Sequence, residues 1–118
     1  MSRRSEPGGG RVRVMIWALA PADDPDAVER AYHAISPKLA GAPGLLGNQL
    51  LRDPGDPARY VVVSEWTNIT NFAAWEAGAD HRTITSPLRP YQDPQQRPAI
   101  YVEMAAYGPT GVLVDGLD

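Results

Sequence analysis

Tyr60–Asp93, YVVVSEWTNITNFAAWEAGADHRTITSPLRPYQD, passes from a strand through a short helix into a segment crowded with polar and aromatic side chains. Tyr60 to Trp66 predicts a strand, because Val61, Val62 and Val63 in succession leave neither face free for water. Asn68 is placed to cap a helix whose face carries Phe72 and Trp75, one turn apart. Beyond Gly78 the periodicity stops. His81, Arg89 and Tyr91 then fall on a predicted loop stiffened by Pro87, Pro90 and Pro94. Loops held by a rigid scaffold are where binding groups concentrate, so this segment is the first place to look for function.

Working outward, Arg11 to Leu19 alternates: Val12, Val14, Ile16 and Ala18 share one face, and Arg13, Met15 and Trp17 the other. The second face is large and amphipathic, so it needs a cover, either a second subunit or a ligand. Asp24 before Pro25 predicts a helix start, and Val28, Ala31, Tyr32, Ile35 and Leu39 then recur at helical spacing. Pro37 should disturb the last turn, and His33 falls on the solvent side. Gly41 and Pro43–Gly44 turn the chain into a second strand, Leu45 to Arg52, on which Leu46, Asn48 and Leu50 share a face opposite Leu45, Gln49 and Leu51. A buried amide such as Asn48 must pair its donors and acceptor, with neighbouring backbone or with a bound ligand. Asp53 to Pro57 is a hairpin connection. Pro98 to Tyr107 is the last predicted strand, and Val112, Leu113 and Val114 could add an edge strand.

The order strand–helix–strand, strand–helix–strand predicts an α+β, ferredoxin-like βαββαβ fold: a four-stranded antiparallel sheet with both helices on one face. Two helices cannot cover both faces of a sheet that is apolar or amphipathic on each side, so a homodimer is expected. One domain over residues 11–107 suffices for 118 residues. A glycine-rich arm, residues 1–10, too polar to offset its ordering entropy, and a tail, 108–118, flank it.

The chain carries 11 Lys and Arg against 14 Asp and Glu, a net charge of −3, which gives no basic field for nucleic acid or an anionic membrane. No apolar run approaches the roughly 18 residues of a membrane span, and a cytoplasmic location is expected. There is no cysteine, so thiolate chemistry and cysteine-held metal are excluded. His33 and His81, the two histidines, lack the spacing of a metal motif.

Pro43–Asp53, the YVVVSEWTN segment at Tyr60–Asn68 and FAAWEAGADHRT at Phe72–Thr83 together resemble the antibiotic biosynthesis monooxygenase family, small dimeric α+β barrels. The likeness covers roughly residues 11–107. It implies a cofactor-independent oxygenase that converts a phenol- or anthrone-type polyketide intermediate to a quinone with molecular oxygen. Such a protein binds a flat aromatic molecule, removes a proton and stabilises the anion that then reduces oxygen. His81, Arg89 and Asn48 are the candidate catalytic groups, and Trp17, Trp66, Trp75, Tyr91 and Tyr101 the candidate substrate walls. Trp66 and Trp75 have core packing as their alternative role. Haem-degrading relatives use an Asn that the first strand here lacks. Polyketide cyclases of the same barrel class share a segment similar to Pro90, Tyr91 and Asp93, and a non-catalytic dimer that binds a hydrophobic ligand is the third reading.

Overall fold

A computed structural model describes residues 10–114. The expected arm at 1–10 and the end of the tail therefore lie almost wholly, or partly, outside the described residues. Four strands, β1 (Val12–Leu19), β2 (Leu45–Arg52), β3 (Arg59–Trp66) and β4 (Ala99–Val102), form one antiparallel sheet in the order β2-β3-β1-β4. Helices α1 (Ala27–Ile35) and α2 (Ile69–Ala77) supply the covering layer, so the ferredoxin-like α+β arrangement holds.

The register explains which side chains meet. Val12 lies opposite Trp66, Val14 opposite Ser64 and Ile16 opposite Val62, and these residues share the helix-covered face because strand side chains alternate. Two apolar clusters fill that layer. In one, Ala18, Val28, Ala31, Ile35, Tyr60 and Leu88 bury α1 against the sheet. In the other, Val12, Val14, Trp66 and Phe72 bury α2. Trp66 is 1% exposed, meets Phe72 edge-on at 5.4 Å and lies 5.5 Å from Trp75. Its indole N–H donates to the Ser64 hydroxyl at 2.9 Å, which satisfies the one polar atom that burial would otherwise strand.

Helix α2 starts as expected: Asn68 Oδ1 accepts from the Asn71 N–H at 2.8 Å. Helix α1 does not. The turn at Asp24–Pro25 precedes it by two residues, Asp26 stands at the cap without a side-chain bond, and the Asp24 carboxylate instead pairs with Arg30. A carboxylate facing a nearby guanidinium has a stronger partner than a peptide N–H. After Ile35 the chain tightens into a 3-10 turn, Ser36–Leu39, with Pro37 near its start.

Three further expectations are corrected. A β-bulge between Leu45 and Gly47 shifts the start of β2, so Leu45 rather than Leu46 packs inward with Leu50, and Leu46 is exposed. An extra residue in one strand reverses the alternation on either side of it. The predicted loop after Gly78 contains a five-residue helix, α3 (His81–Thr85), and a 3-10 turn, Arg89–Tyr91. The predicted last strand is two pieces: β4 ends at Val102, and Ala106–Tyr107 (β5) pairs with Leu113–Val114 (β6) in a separate hairpin.

Asp93 is buried, and it holds the long α3–β4 connection in place. Its backbone N–H donates to the Trp17 carbonyl at 2.9 Å. Its carboxylate accepts from the Gln95 N–H at 2.9 Å and from Arg59 Nη1 at 3.4 Å. Replacing Asp93 with Ala removes the acceptor of the Gln95 N–H and one of the two carboxylates that face Arg59, and chemical denaturation should show a loss of about 1–3 kcal/mol; an unchanged unfolding midpoint would refute this anchoring role.

Candidate active site

Between the sheet and its helices lies a cavity of about 300 Å3, at the lower end of the roughly 300–1,000 Å3 typical of ligand pockets. Val14, Ile16 and Val62 make its floor on the sheet, and Trp66, Phe72 and Trp75 form an aromatic wall. Ile35, Leu39 and Leu88 close it from the helix side. Arg89, Gln92, Pro98 and Ile100 are lining residues that are also exposed, so the cavity opens to solvent along the β4 edge.

The polar groups on this apolar surface are few. His81 begins α3, and its ring stands edge-on to Trp75 with centroids 4.6 Å apart and an interplanar angle of 88°. The close approach removes water from the imidazole, and this desolvation lowers the His81 pKa. Glu76 opposes the shift, and Arg89 and Arg82 add to it. A neutral imidazole near neutral pH can accept a proton. Arg89 donates to Thr85 Oγ1 at 3.2 Å, and Thr85 Oγ1 in turn donates to the His81 carbonyl at 2.7 Å. Thr85 thus ties the Arg89 guanidinium to the helical turn that His81 begins. On β2, Asn48 Oδ1 accepts from the Ser36 hydroxyl at 3.1 Å, and the Asn48 carbonyl accepts from the Tyr32 hydroxyl at 3.3 Å.

Five of the residues singled out in the sequence come together here: Asn48, Trp66, Trp75, His81 and Arg89. Trp66 and Trp75 are core residues and cavity wall at once, since they pack on Phe72 with one side and line the space with the other. Trp17, Tyr91 and Tyr101 do not line the cavity. Strand alternation puts Trp17 and Tyr101 on the open face, where Tyr101 is 64% exposed, and Tyr91 packs against the α1 core cluster. Tyr32, Ser36, Ser64 and Glu76 line the cavity without having been singled out. Tyr32 fell in the apolar stripe of α1. No local pattern marks Ser36 or Ser64, which become lining residues only through the register and the packing of α1.

Comparison with known proteins bears on this arrangement. The sequence model of the family described as antibiotic biosynthesis monooxygenase matches residues 3–85. The chain belongs to that family. Protein SchA of Streptomyces halstedii is 31% identical over 83 residues, covering 70% of this chain and 22% of that protein. A 42.8 kDa protein in the whiE locus of Streptomyces coelicolor is 30% identical over 84 residues, covering 68% of this chain and 20% of that protein. The chain thus spans about a fifth of the length of these curated relatives. Among solved structures, SnoaB of Streptomyces nogalater, described as a cofactor-independent oxygenase, superposes with a TM-score of 0.66 at 20% identity over 80% of this chain and 93% of that one. A conserved protein from Methanosarcina mazei superposes at 0.68 with 12% identity, covering 80% and 94%. At such identities these superpositions establish the fold. Among the described residues no helix is long and apolar enough to cross a membrane.

The His81 shift has a definite pH consequence. Its folded pKa lies below its unfolded value of about 6.5, so between the two the unfolded chain binds the additional proton. The stability gained from holding a neutral ring is complete above that unfolded value and is lost as pH falls through it towards the folded pKa. Proton NMR of the His81 ring should give a midpoint below that of free histidine, and the midpoint should rise in Trp75→Ala. A wild-type midpoint at or above the free value would contradict the desolvated environment.

Proposed function

We propose that this family member is a cofactor-independent oxygenase acting on an aromatic polyketide-type intermediate, a phenol or anthrone, and forming a quinone with molecular oxygen. The observation that carries the reading is the apolar, aromatic-walled cavity with a desolvated imidazole set against one wall. The description of SnoaB as a cofactor-independent oxygenase supports it.

In this proposal Trp66 and Trp75 hold a flat ring system by stacking and keep water from the reacting carbon. His81 removes the proton from the methylene carbon or the phenol. Arg89 and the Asn48 amide stabilise the resulting enolate oxygen, which lowers the barrier by meeting charge where it develops. The carbanion transfers one electron to oxygen, and the resulting radical pair collapses to a hydroperoxide after the imidazolium returns its proton. Loss of water from the hydroperoxide leaves the new carbonyl. Overall one methylene and one O2 become one C=O and one H2O, so the electrons balance with no flavin, haem or metal.

The cyclase reading draws less support: Tyr91 and Asp93, which suggested it, are not among the lining residues of the cavity. Asp93 is buried on Arg59 and the Gln95 N–H, and Tyr91 packs elsewhere.

A homodimer completes the proposal. The sheet face opposite the helices carries Met15, Trp17, Val61 and Val63, and around them Leu46, Leu51 and Tyr101 are exposed. A second copy of the same face would bury it by a two-fold contact. The Arg13 guanidinium, paired with Glu65 at 2.7 Å and Glu103 at 3.2 Å, would enter that contact already neutralised.

Purified, metal-free protein should consume oxygen with anthrone and yield anthraquinone, and His81→Ala should lower kcat by roughly 10²–10⁴-fold; no uptake by the wild type under these conditions would sink the oxygenase reading. Sedimentation of the wild type should give the mass of two chains, and Leu51→Asp combined with Tyr101→Asp should give one. A monomeric wild type would remove the dimer.

A further inference from the structure

A primary amide can turn either its oxygen or its nitrogen towards a ligand, because the two ends are nearly the same size and shape. For Asn48 the choice is made outside its own strand. The backbone N–H of Ser36 caps α1 by donating to the Tyr32 carbonyl. That carbonyl is the usual acceptor for a helical serine hydroxyl. Here the Ser36 hydroxyl instead reaches across to β2 and donates to Asn48 Oδ1 at 3.1 Å. Tyr32, one turn earlier on the same helix face, donates to the Asn48 carbonyl at 3.3 Å and fixes the strand at that residue. Both hydroxyl residues and Asn48 line the cavity. Among the described residues no acceptor takes the hydrogens of Asn48 Nδ2, and no buried side-chain nitrogen or oxygen is left without a partner. The Nδ2 group is therefore accessible as well as unpaired.

We infer that Ser36 is a positioning residue: by holding Asn48 Oδ1 it turns the amide N–H donors to the ligand and makes this part of the cavity selective for an acceptor oxygen. The inference rests on the cavity being the substrate site, as proposed above. It adds that the substrate places a carbonyl or enolate oxygen, not a hydroxyl donor, against Asn48. Without the Ser36 hydroxyl the amide rotates freely, and part of the population presents its own oxygen to the ligand oxygen and repels it.

Anthrone and 9,10-dihydroanthracene differ by one carbonyl on the same three-ring frame, so they isolate this contact. Their binding is measured without oxygen, by quenching of tryptophan fluorescence, in the wild type, Ser36→Ala, Ser36→Thr and Asn48→Asp. The wild type should prefer anthrone. Ser36→Ala should weaken anthrone roughly five- to tenfold, as expected for loss of one net hydrogen bond, and leave dihydroanthracene unchanged. Ser36→Thr, which keeps the hydroxyl, should restore anthrone binding. Asn48→Asp, which has no N–H to offer, should lose the preference whatever stands at position 36, so the test survives a Ser36→Ala chain that folds poorly. Equal weakening of both ligands in Ser36→Ala, or retained preference in Asn48→Asp, would overturn the role of Ser36 while leaving the cavity as the binding site. Failure of the wild type to bind either ligand would overturn the site itself, and this inference with it.

Discussion

The burial of Trp66 is the contact on which the rest of the structure depends. Its ring ends β3, receives Phe72 edge-on and lies against Trp75, and its N–H is satisfied by Ser64 two residues earlier on the same strand. A side chain of this size is a large share of the apolar area of a small domain. It joins the sheet to α2 and sets the distance between them. Because Phe72 and Trp75 are one turn apart on α2, docking on Trp66 also fixes the rotation of that helix, and with it where α3 begins. His81 reaches the edge of Trp75 through this chain of contacts.

A single helical layer has two consequences. On the covered face the aromatic residues of α2 and the aliphatic residues of α1 belong to two separate clusters, and the cavity draws lining residues from both. On the face opposite the helices the same strands carry half-buried Met15, Trp17 and Val61 beside exposed Leu46, Leu51 and Tyr101, which is the basis for the proposed dimer. The connection from α3 to β4 lies along the cavity mouth and is secured at Asp93 by main-chain and side-chain bonds. That leaves Arg89 and Gln92 at the opening.

The site's chemistry follows from scarcity of polar groups. In a cavity walled by valine, isoleucine and aromatic rings, the hydrogen-bonding groups set back from the mouth, such as Asn48, meet less competition from water than Arg89 and Gln92 at the opening. Partial burial beside the Trp75 edge lowers the His81 pKa. Arg89 is tethered through Thr85 and Asn48 through Ser36, so both proposed oxyanion-binding groups are held by hydroxyls rather than by charged partners that would cancel them.

The elements and their order were legible in the sequence because each is a local pattern: alternation in Val12–Leu19, the β-branched run at Tyr60–Trp66, and the Asn68 cap before Phe72 and Trp75. The family resemblance lay in the same segments. Local rules failed where a distant partner competed for the same group. Asp24 left its capping role for Arg30, and a bulge that depends on the β3 register turned Leu45 inward in place of Leu46. Residue type alone suggested all three tryptophans as cavity walls, yet strand parity sends Trp17 to the opposite face. Periodicity thus determined the α+β topology, and the family resemblance supplied the candidates His81, Arg89 and Asn48. Only the tertiary structure decided which candidates share a cavity and which hydroxyls meet Asn48, because those depend on contacts such as Ser36 with Asn48 that join residues on separate elements and leave no periodic trace in the chain.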